Sequence, residues 1–268
     1  MDSRFLEDAR KFAEKLAVQA AEISRSLAGK TTVEIKPDAS PVTEADRRIQ
    51  RLFLDAVVDS YPDHAFLGEE SIEGVDRLPP PSKAPFCWVV DPLDGTRNFA
   101  RGFPIMSTSI ALMNGAEPVV AVVREHLSGW CCSAVAGRGA RCNGRPARVA
   151  DRPVDADTLI AVPSGRHQPI LPTIKNWLDR YVLRNVGSTA AHMAYVATGA
   201  VDAAFCYECK LWDVAAGALL IREAGGRCTD LSGKSPLSLN PVDYDDRDLP
   251  FIAASPRCFD QLLDESVF

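Results

Sequence analysis

Hydrophobic residues recur every three or four positions at the start of the chain: Phe5, Ala9, Phe12, Leu16, Ala20, Ile23 and Leu27. That period predicts an amphipathic helix over residues 3–28, with Gly29 as its stop. A second stripe of Ile49, Leu52, Phe53, Ala56 and Val57 predicts a helix from about Glu44 to Ser60, closed by Tyr61-Pro62-Asp63. Between the two, Lys36-Pro37-Asp38-Ala39-Ser40-Pro41 has the composition of a loop. The period then shortens. Residues 65–70 read as a strand ending in two acids, 71–85 as a polar, proline-rich loop and 86–90 as a short buried strand. Residues 105–113, 118–124 and 130–136 read as three further strands, and Asn143-Gly144 as a hairpin turn. The first half therefore predicts helices packed on an antiparallel-rich sheet, an α+β arrangement.

The rhythm changes near residue 151. Strands are predicted at 159–162, 181–186, 203–206 and 251–254, and helices at 170–178, 188–198, 213–224 and 256–263. Alternating strand and helix predicts an α/β second half. Residues 1–150 and 151–268 are thus two expected units. No linker composition separates them, so they are expected to pack closely as one body.

The chemistry concentrates where predicted strands end. Trp88-Val89-Val90-Asp91-Pro92-Leu93-Asp94-Gly95-Thr96-Arg97-Asn98-Phe99 carries two carboxylates off a buried strand, and Gly95-Thr96 follows where backbone N–H groups can face an anion. Glu69, Glu70 and Asp213 also stand at element ends, where open α/β sheets gather their sites. Two like charges about 5 Å apart repel by roughly 3 kcal/mol at an effective dielectric near 20. Hard divalent cations such as Mg²⁺ relieve that repulsion and prefer oxygen ligands. Acids that hold cations beside amides that hold phosphate point to metal-assisted phosphate chemistry.

Each of these residues also has a plain structural reading. Asp213 could be a helix N-cap, a metal ligand or both. Glu70 could be a solvated neighbour of Glu69, and Asp91 a turn residue before Pro92. Thr43-Glu44-Ala45-Asp46 has capping-box spacing, and Asp46 could in addition orient the Thr96 hydroxyl. His64, His126, His167 and His192 show no metal-ligand spacing and read as surface or satisfied core residues. Cys206-x-x-Cys209 is a lone pair without a second at zinc spacing. Ser164-Gly165-Arg166-His167 follows a predicted strand and could reach a substrate or simply be a loop, and Gly187-Ser188 could bind an anion at the start of a helix or be an ordinary helix start.

Bulk properties narrow the classes. A net charge of −6 leaves no basic footprint for nucleic acid, and no apolar run approaches the length of a membrane span. The first residues, MDSRFLEDARKF, lack a signal-peptide core, and the eight cysteines read as free thiols of a reducing cytoplasm.

The motifs as a set resemble the inositol monophosphatase family of Mg²⁺-dependent, Li⁺-sensitive phosphatases. The resemblance rests on Ser40-Pro41-Val42-Thr43-Glu44-Ala45-Asp46, Gly68-Glu69-Glu70-Ser71, Asp91-Pro92-Leu93-Asp94-Gly95-Thr96, and Trp212-Asp213-Val214-Ala215-Ala216-Gly217 followed by Glu223-Ala224-Gly225-Gly226. It implies a layered αβαβα sandwich of the sugar-phosphatase type, usually a homodimer. It implies that Glu69, Asp91, the Leu93 carbonyl, Asp94 and Asp213 hold two to three Mg²⁺ ions. Asp46, Thr96 and Glu69 would be the catalytic groups, with Asp46 and Thr96 activating a water. The Gly95 and Thr96 amides would cradle phosphate, and Lys36 would lie on a mobile loop nearby. The substrate would be a small phosphorylated metabolite met by Ser164, Gly187 and Glu208. Inositol 1-phosphate leads, then histidinol phosphate, then fructose 1,6-bisphosphate and 3′-phosphoadenosine phosphates. A metal-binding scaffold without turnover is the alternative of a different class.

Overall fold

The computed structural model describes residues 2–37, 39–163, 170–234 and 240–266. The first stripe forms α1 (Ser3–Leu27), which buries Leu6, Ala9, Ala13, Leu16, Ala17 and Ala20. Two short antiparallel strands follow, β1 (Val33–Ile35) and β2 (Pro41–Thr43). The segment expected as a plain loop is thus the turn of a β-hairpin. Three-residue strands with β1 fully exposed carry no alternation to read. The second stripe forms α2 (Glu44–Ser60), with Ile49, Phe53, Leu54 and Val57 inward.

Seven strands make the first sheet, in sequence order: β3 (Ala65–Gly68), β4 (Cys87–Asp94), β5 (Ser107–Asn114), β6 (Glu117–Glu125), β7 (Cys131–Val135), β8 (Ala140–Cys142) and β9 (Arg145–Ala147). Only β3 and β4 run parallel; every later pair is antiparallel. A short helix, α3 (Thr96–Arg101), follows β4. β4 runs on past the predicted end at Val90 to Asp94, so the two acids lie on the strand rather than beyond it.

The second half adds β10 (Leu159–Ala161), α4 (Pro172–Leu178), β11 (Val182–Arg184), α5 (Thr189–Ala197), β12 (Ala203–Cys206), α6 (Leu211–Glu223), β13 (Arg227–Thr229), β14 (Phe251–Ala254) and α7 (Pro256–Asp264). Its sheet is mixed, in the order β11-β10-β12-β14-β13, parallel on one side of β12 and antiparallel on the other. The edge strand β13 was not expected from the sequence. It has three residues, of which only Thr229 is buried.

Three apolar clusters stack these elements into five layers. α1 and α2 cover one face of the first sheet through Leu16, Phe53, Trp88 and Leu112. α5 and α6 fill the space between the sheets, touching both. α4 and α7 cover the outer face of the second sheet around Trp177, Phe205 and Phe259. α6 buries nine of its residues on all sides, as a helix sandwiched between two sheets must. The αβαβα sandwich expected from the resemblance is therefore present. Among the described residues no helix is long and apolar enough to cross a membrane.

Candidate active site

The site is built first on a defect in the β4–β5 ladder. Asp91 pairs with Ser109 and Asp94 with Ser107, so Pro92 and Leu93 together face only Thr108. Pro92 has no N–H to give to the ladder, which makes a bulge natural here. The Asp91 carboxylate accepts from Leu93 N at 2.9 Å, and Thr108 Oγ1 donates to the Pro92 carbonyl at 2.8 Å. Gly95 then turns the chain with φ of +104°, and an added Cβ there would meet the Ile105 carbonyl at 3.1 Å and Met106 Cα at 3.3 Å. Both conformation and space call for glycine.

The α2 N-terminus brings the second part. Asp46 Oδ2 accepts from Thr43 N at 2.7 Å and Thr43 Oγ1 at 2.5 Å, closing the capping box. Its other oxygen, Oδ1, accepts from Thr96 Oγ1 at 2.8 Å. The Leu93 carbonyl lies 3.1 Å from the same hydroxyl. One hydroxyl proton cannot serve both, and the charged acceptor is the stronger. One Asp46 side chain thus closes the capping box and holds the Thr96 hydroxyl.

The middle-layer helix α6 brings the third part. It starts at Leu211, two residues before the predicted start, so Asp213 is not an N-cap. It stands in the first turn and reaches back to accept from Lys210 N at 2.7 Å. Ser109 Oγ donates to the Trp212 carbonyl at 2.9 Å and so ties this turn to the bulged strand pair.

Glu69 and Glu70 leave β3 beside Lys36, whose Nζ lies 3.0 Å from Glu69 Oε1 and 2.6 Å from Glu70 Oε1. The reading of Glu70 as a solvated neighbour is overturned, since it is only 8% exposed. The Gln50 side chain clamps its backbone, accepting from Glu70 N at 2.8 Å and donating to the Glu70 carbonyl. Burial pushes the Glu70 carboxyl up to about 7, with repulsion from Glu69 adding and Lys36 opposing. Burial would lower the Lys36 ammonium, but the two glutamates outweigh it and raise the ammonium above its usual range. The ammonium already acts as a counter-cation at the place where Glu69 would meet a metal.

Lys36, Glu69, Asp91, Leu93, Asp94, Gly95, Thr96 and Asp213 line one cavity of about 460 Å³. Burial raises the pKa of Glu69, Asp91, Asp94 and Asp213 alike, Asp94 to about 6. Mutual repulsion adds to this at Asp91 and Asp213. Among the described residues no three His, Cys, Asp or Glu side chains come close enough together to hold a metal ion as they stand; the acids ring a cavity instead. Oxygen-only donors with crowded negative charge fit a hard divalent cation. A partial shell suits Mg²⁺, which keeps water and takes phosphate oxygens as ligands.

The second half also fixes Asp94 directly. Its Oδ2 accepts from Ser188 Oγ at 2.8 Å and from Ala190 N at 2.6 Å, at the start of α5. The expected substrate residues fall elsewhere. Gly187 packs behind the bulge: its carbonyl lies 3.4 Å from the position of a Gly95 Cβ, and its own Cβ would strike Asn98 at 2.8 Å. Glu208 is half-buried on the chain leading to α6, and neither residue is among those lining the cavity. Ser164 and His167 lie outside the described residues. Lys210, Trp212 and Asp246 line the cavity instead. Lys210 and Trp212 were in view as flanks of Asp213, whereas Asp246 is brought in only by the tertiary fold, 2.5 Å from Lys210 Nζ through its carbonyl. The remaining histidines are core groups. His64 accepts from Trp88 Nε1, His126 sits between Thr108 and Ser24, and His192 accepts from Val186 N.

Known proteins resemble this one over most of its length. The model of the inositol monophosphatase family matches residues 6–266. An inositol-1-monophosphatase from Rhizobium meliloti is 36% identical over 209 residues, 75% of this chain and 76% of its own. A Nus factor SuhB from Xylella fastidiosa is 37% identical over 198 residues, 71% of this chain and 69% of its own. The solved IMPase TM1415 from Thermotoga maritima superposes with a TM-score of 0.83 at 29% identity, covering 96% of each chain. A sandwich of this kind with acids ringing the bulge of its first sheet is a phosphoric monoester hydrolase. The chain belongs to the inositol monophosphatase family, whose members depend on metal ions.

Proposed function

We propose that the protein hydrolyses a small phosphate monoester, with inositol 1-phosphate the first candidate and Mg²⁺ the cofactor. Glu69, Asp91, the Leu93 carbonyl, Asp94 and Asp213 would hold two to three ions, which supply a more acidic water and neutralise phosphate charge. The chain's own groups do the positioning. Thr96, its proton held by Asp46, presents lone pairs that accept from the attacking water. The Gly95 and Thr96 amides receive phosphate oxygens beyond the bulge. Lys36 adds positive charge at the rim, and Glu69 is the acid it faces. One observation carries the reading: the 2.8 Å bond from Thr96 Oγ1 to Asp46 Oδ1 at the edge of an acid-ringed cavity. A scaffold needs no such hydroxyl.

The volume of about 460 Å³ suits a metabolite rather than a macromolecule. The leading substrate is supported by the Rhizobium meliloti relative, named for inositol 1-phosphate chemistry. A homodimer, inhibition by Li⁺ and a cytoplasmic location belong to the same reading. Exposed Val33, Ile35 and Phe103 around one shallow cavity support the dimer.

The test is a panel of phosphorylated metabolites assayed with Mg²⁺, with and without Li⁺. Inositol 1-phosphate is expected to turn over fastest. Preference for histidinol phosphate would change the substrate but keep the mechanism, and hydrolysis of none would favour a scaffold. Asp94→Asn is expected to lower turnover by orders of magnitude in a folded protein. Unchanged turnover at saturating Mg²⁺ would overturn the ligand assignment.

A further inference from the structure

A second cavity lies under α1, away from the acids. The mid-portion of α1, the ends of β6 and β7 and the β8–β9 hairpin enclose about 590 Å³, more than the acid-ringed cavity holds. Its character is the reverse. Arg10, Lys11, Lys15, Arg124 and Arg141 line it against a single acid, Glu14. In a chain of net charge −6 such a concentration of positive charge runs against the background.

The five cations are not equally free. Arg10 is paired with Glu7 at 2.9 Å and Glu14 at 2.5 Å, and Lys11 lies 3.9 Å from Asp8. Lys15, Arg124 and Arg141 form no ion pair among the described residues. Arg124 is the telling one. Its head group lies against the Cys131 thiol, and its Nε is buried with no hydrogen-bond partner. A buried guanidinium N–H without an acceptor is unfavourable and is rarely left so. An acceptor from outside the chain would complete it.

We propose that this cavity binds a small phosphorylated anion at a site separate from the acid-ringed one. The guanidinium fork of Arg124 matches phosphate oxygens in pairs, and Lys15 and Arg141 add unpaired charge at the mouth. The volume lies within the range of small-molecule sites, so an organic body can accompany the phosphate. Arg124 stands opposite Thr108 in the β5–β6 ladder, and Thr108 holds the Pro92 carbonyl of the bulge. Thr108 thus links the strand that carries Arg124 to the bulge of the other cavity.

Calorimetric titration of the Mg²⁺-loaded protein with pyrophosphate, and separately with inorganic phosphate, tests this. The wild type is expected to bind pyrophosphate at two sites. Asp94→Asn should retain the site under α1, and Arg124→Gln should lose it while keeping the other. Lys15→Gln/Arg141→Gln changes only side chains at the mouth, and should weaken the same site by roughly tenfold. Higher salt should weaken it too. Inorganic phosphate should bind there more weakly than pyrophosphate, and equal affinity would mean a single-phosphate site. Absence of pyrophosphate binding in Asp94→Asn would overturn the proposal. So would binding indifferent to both Arg124→Gln and Lys15→Gln/Arg141→Gln.

Discussion

α2 and α6 begin alike, and the difference between them is instructive. In each, an aspartate in the first turn folds back onto the backbone N–H of the residue before the helix: Asp46 onto Thr43 and Asp213 onto Lys210, both at 2.7 Å. At α2 the threonine hydroxyl adds a second bond to the same oxygen at 2.5 Å. One Asp46 oxygen is thereby used up within the helix start, and the other is committed to Thr96. At α6 the preceding residue is lysine, which has nothing to donate in that direction. Its ammonium leaves for the Asp246 carbonyl and lies 3.2 Å from Asp248. Asp213 keeps one helix bond, and its carboxylate lines the cavity together with Asp91. The neighbour at the helix start thus decides how much of a carboxylate remains for chemistry. On the proposed reading, Asp46 holds the Thr96 hydroxyl and Asp213 is left to meet a cation.

This contrast can be broken in several ways. The largest effect is expected for Asp213→Asn. Asparagine keeps the acceptor for Lys210 N, so the fold should hold. Loss of one ligand charge should lower turnover by roughly a thousandfold and weaken Mg²⁺ binding in calorimetry. Asp46→Asn should lower turnover by roughly a hundredfold with Mg²⁺ affinity retained. If both variants lose Mg²⁺ equally, the division of labour is wrong. Acid shifts the background on which both are measured. Burial lowers His126 to about 3, and His64 and His192 to about 4, from an ordinary 6.5. The unfolded chain takes up those protons first, so their stabilisation is complete above pH 6.5 and falls as pH drops towards 4. For His126 alone the loss between pH 6.5 and 5 is about 2 kcal/mol. Denaturant unfolding at the two pH values should show it as the difference between the wild type and His126→Gln, the His64 and His192 contributions remaining in both. Thr43→Ala removes the second bond at α2 and should destabilise the fold by about 1 kcal/mol. Lys210→Ala removes nothing from α6 that its backbone does not supply, and should stay within about 0.5 kcal/mol in the same unfolding measurement.

The long periodic elements were legible because their signal is repeated many times. α1 shows seven apolar positions in register, and the α2 boundaries follow from a capping box and a Tyr-Pro pair. β1, β2 and β13 were not legible, because three residues cannot display a period and β1 is exposed throughout. Within the site, the carboxylates were readable because the bulge and its acids are one contiguous string. The residues on the substrate side were not. Lys210 and Asp246 line the cavity because the chain returns there from 36 residues away, a meeting no local pattern encodes. Gly187, expected at the substrate, instead packs closely on Asn98 and Gly95. The start of α6 was misplaced because Leu211 and Trp212 are apolar on every side of the helix and mark no edge.

Asp94 belongs to two parts of the molecule at once. Its carboxylate lines the cavity of the first sheet, yet the start of α5 holds its Oδ2. During synthesis β4 leaves the ribosome long before Ser188 and Ala190 exist, and Asp213 comes later still. A nascent chain halted after β5 but before α6 therefore carries both strands of the bulge but no assembled acid ring. On the proposed reading, premature fragments are silent and activity waits until the second half has docked. Activity would then report complete folding more stringently than any probe of the first sheet alone.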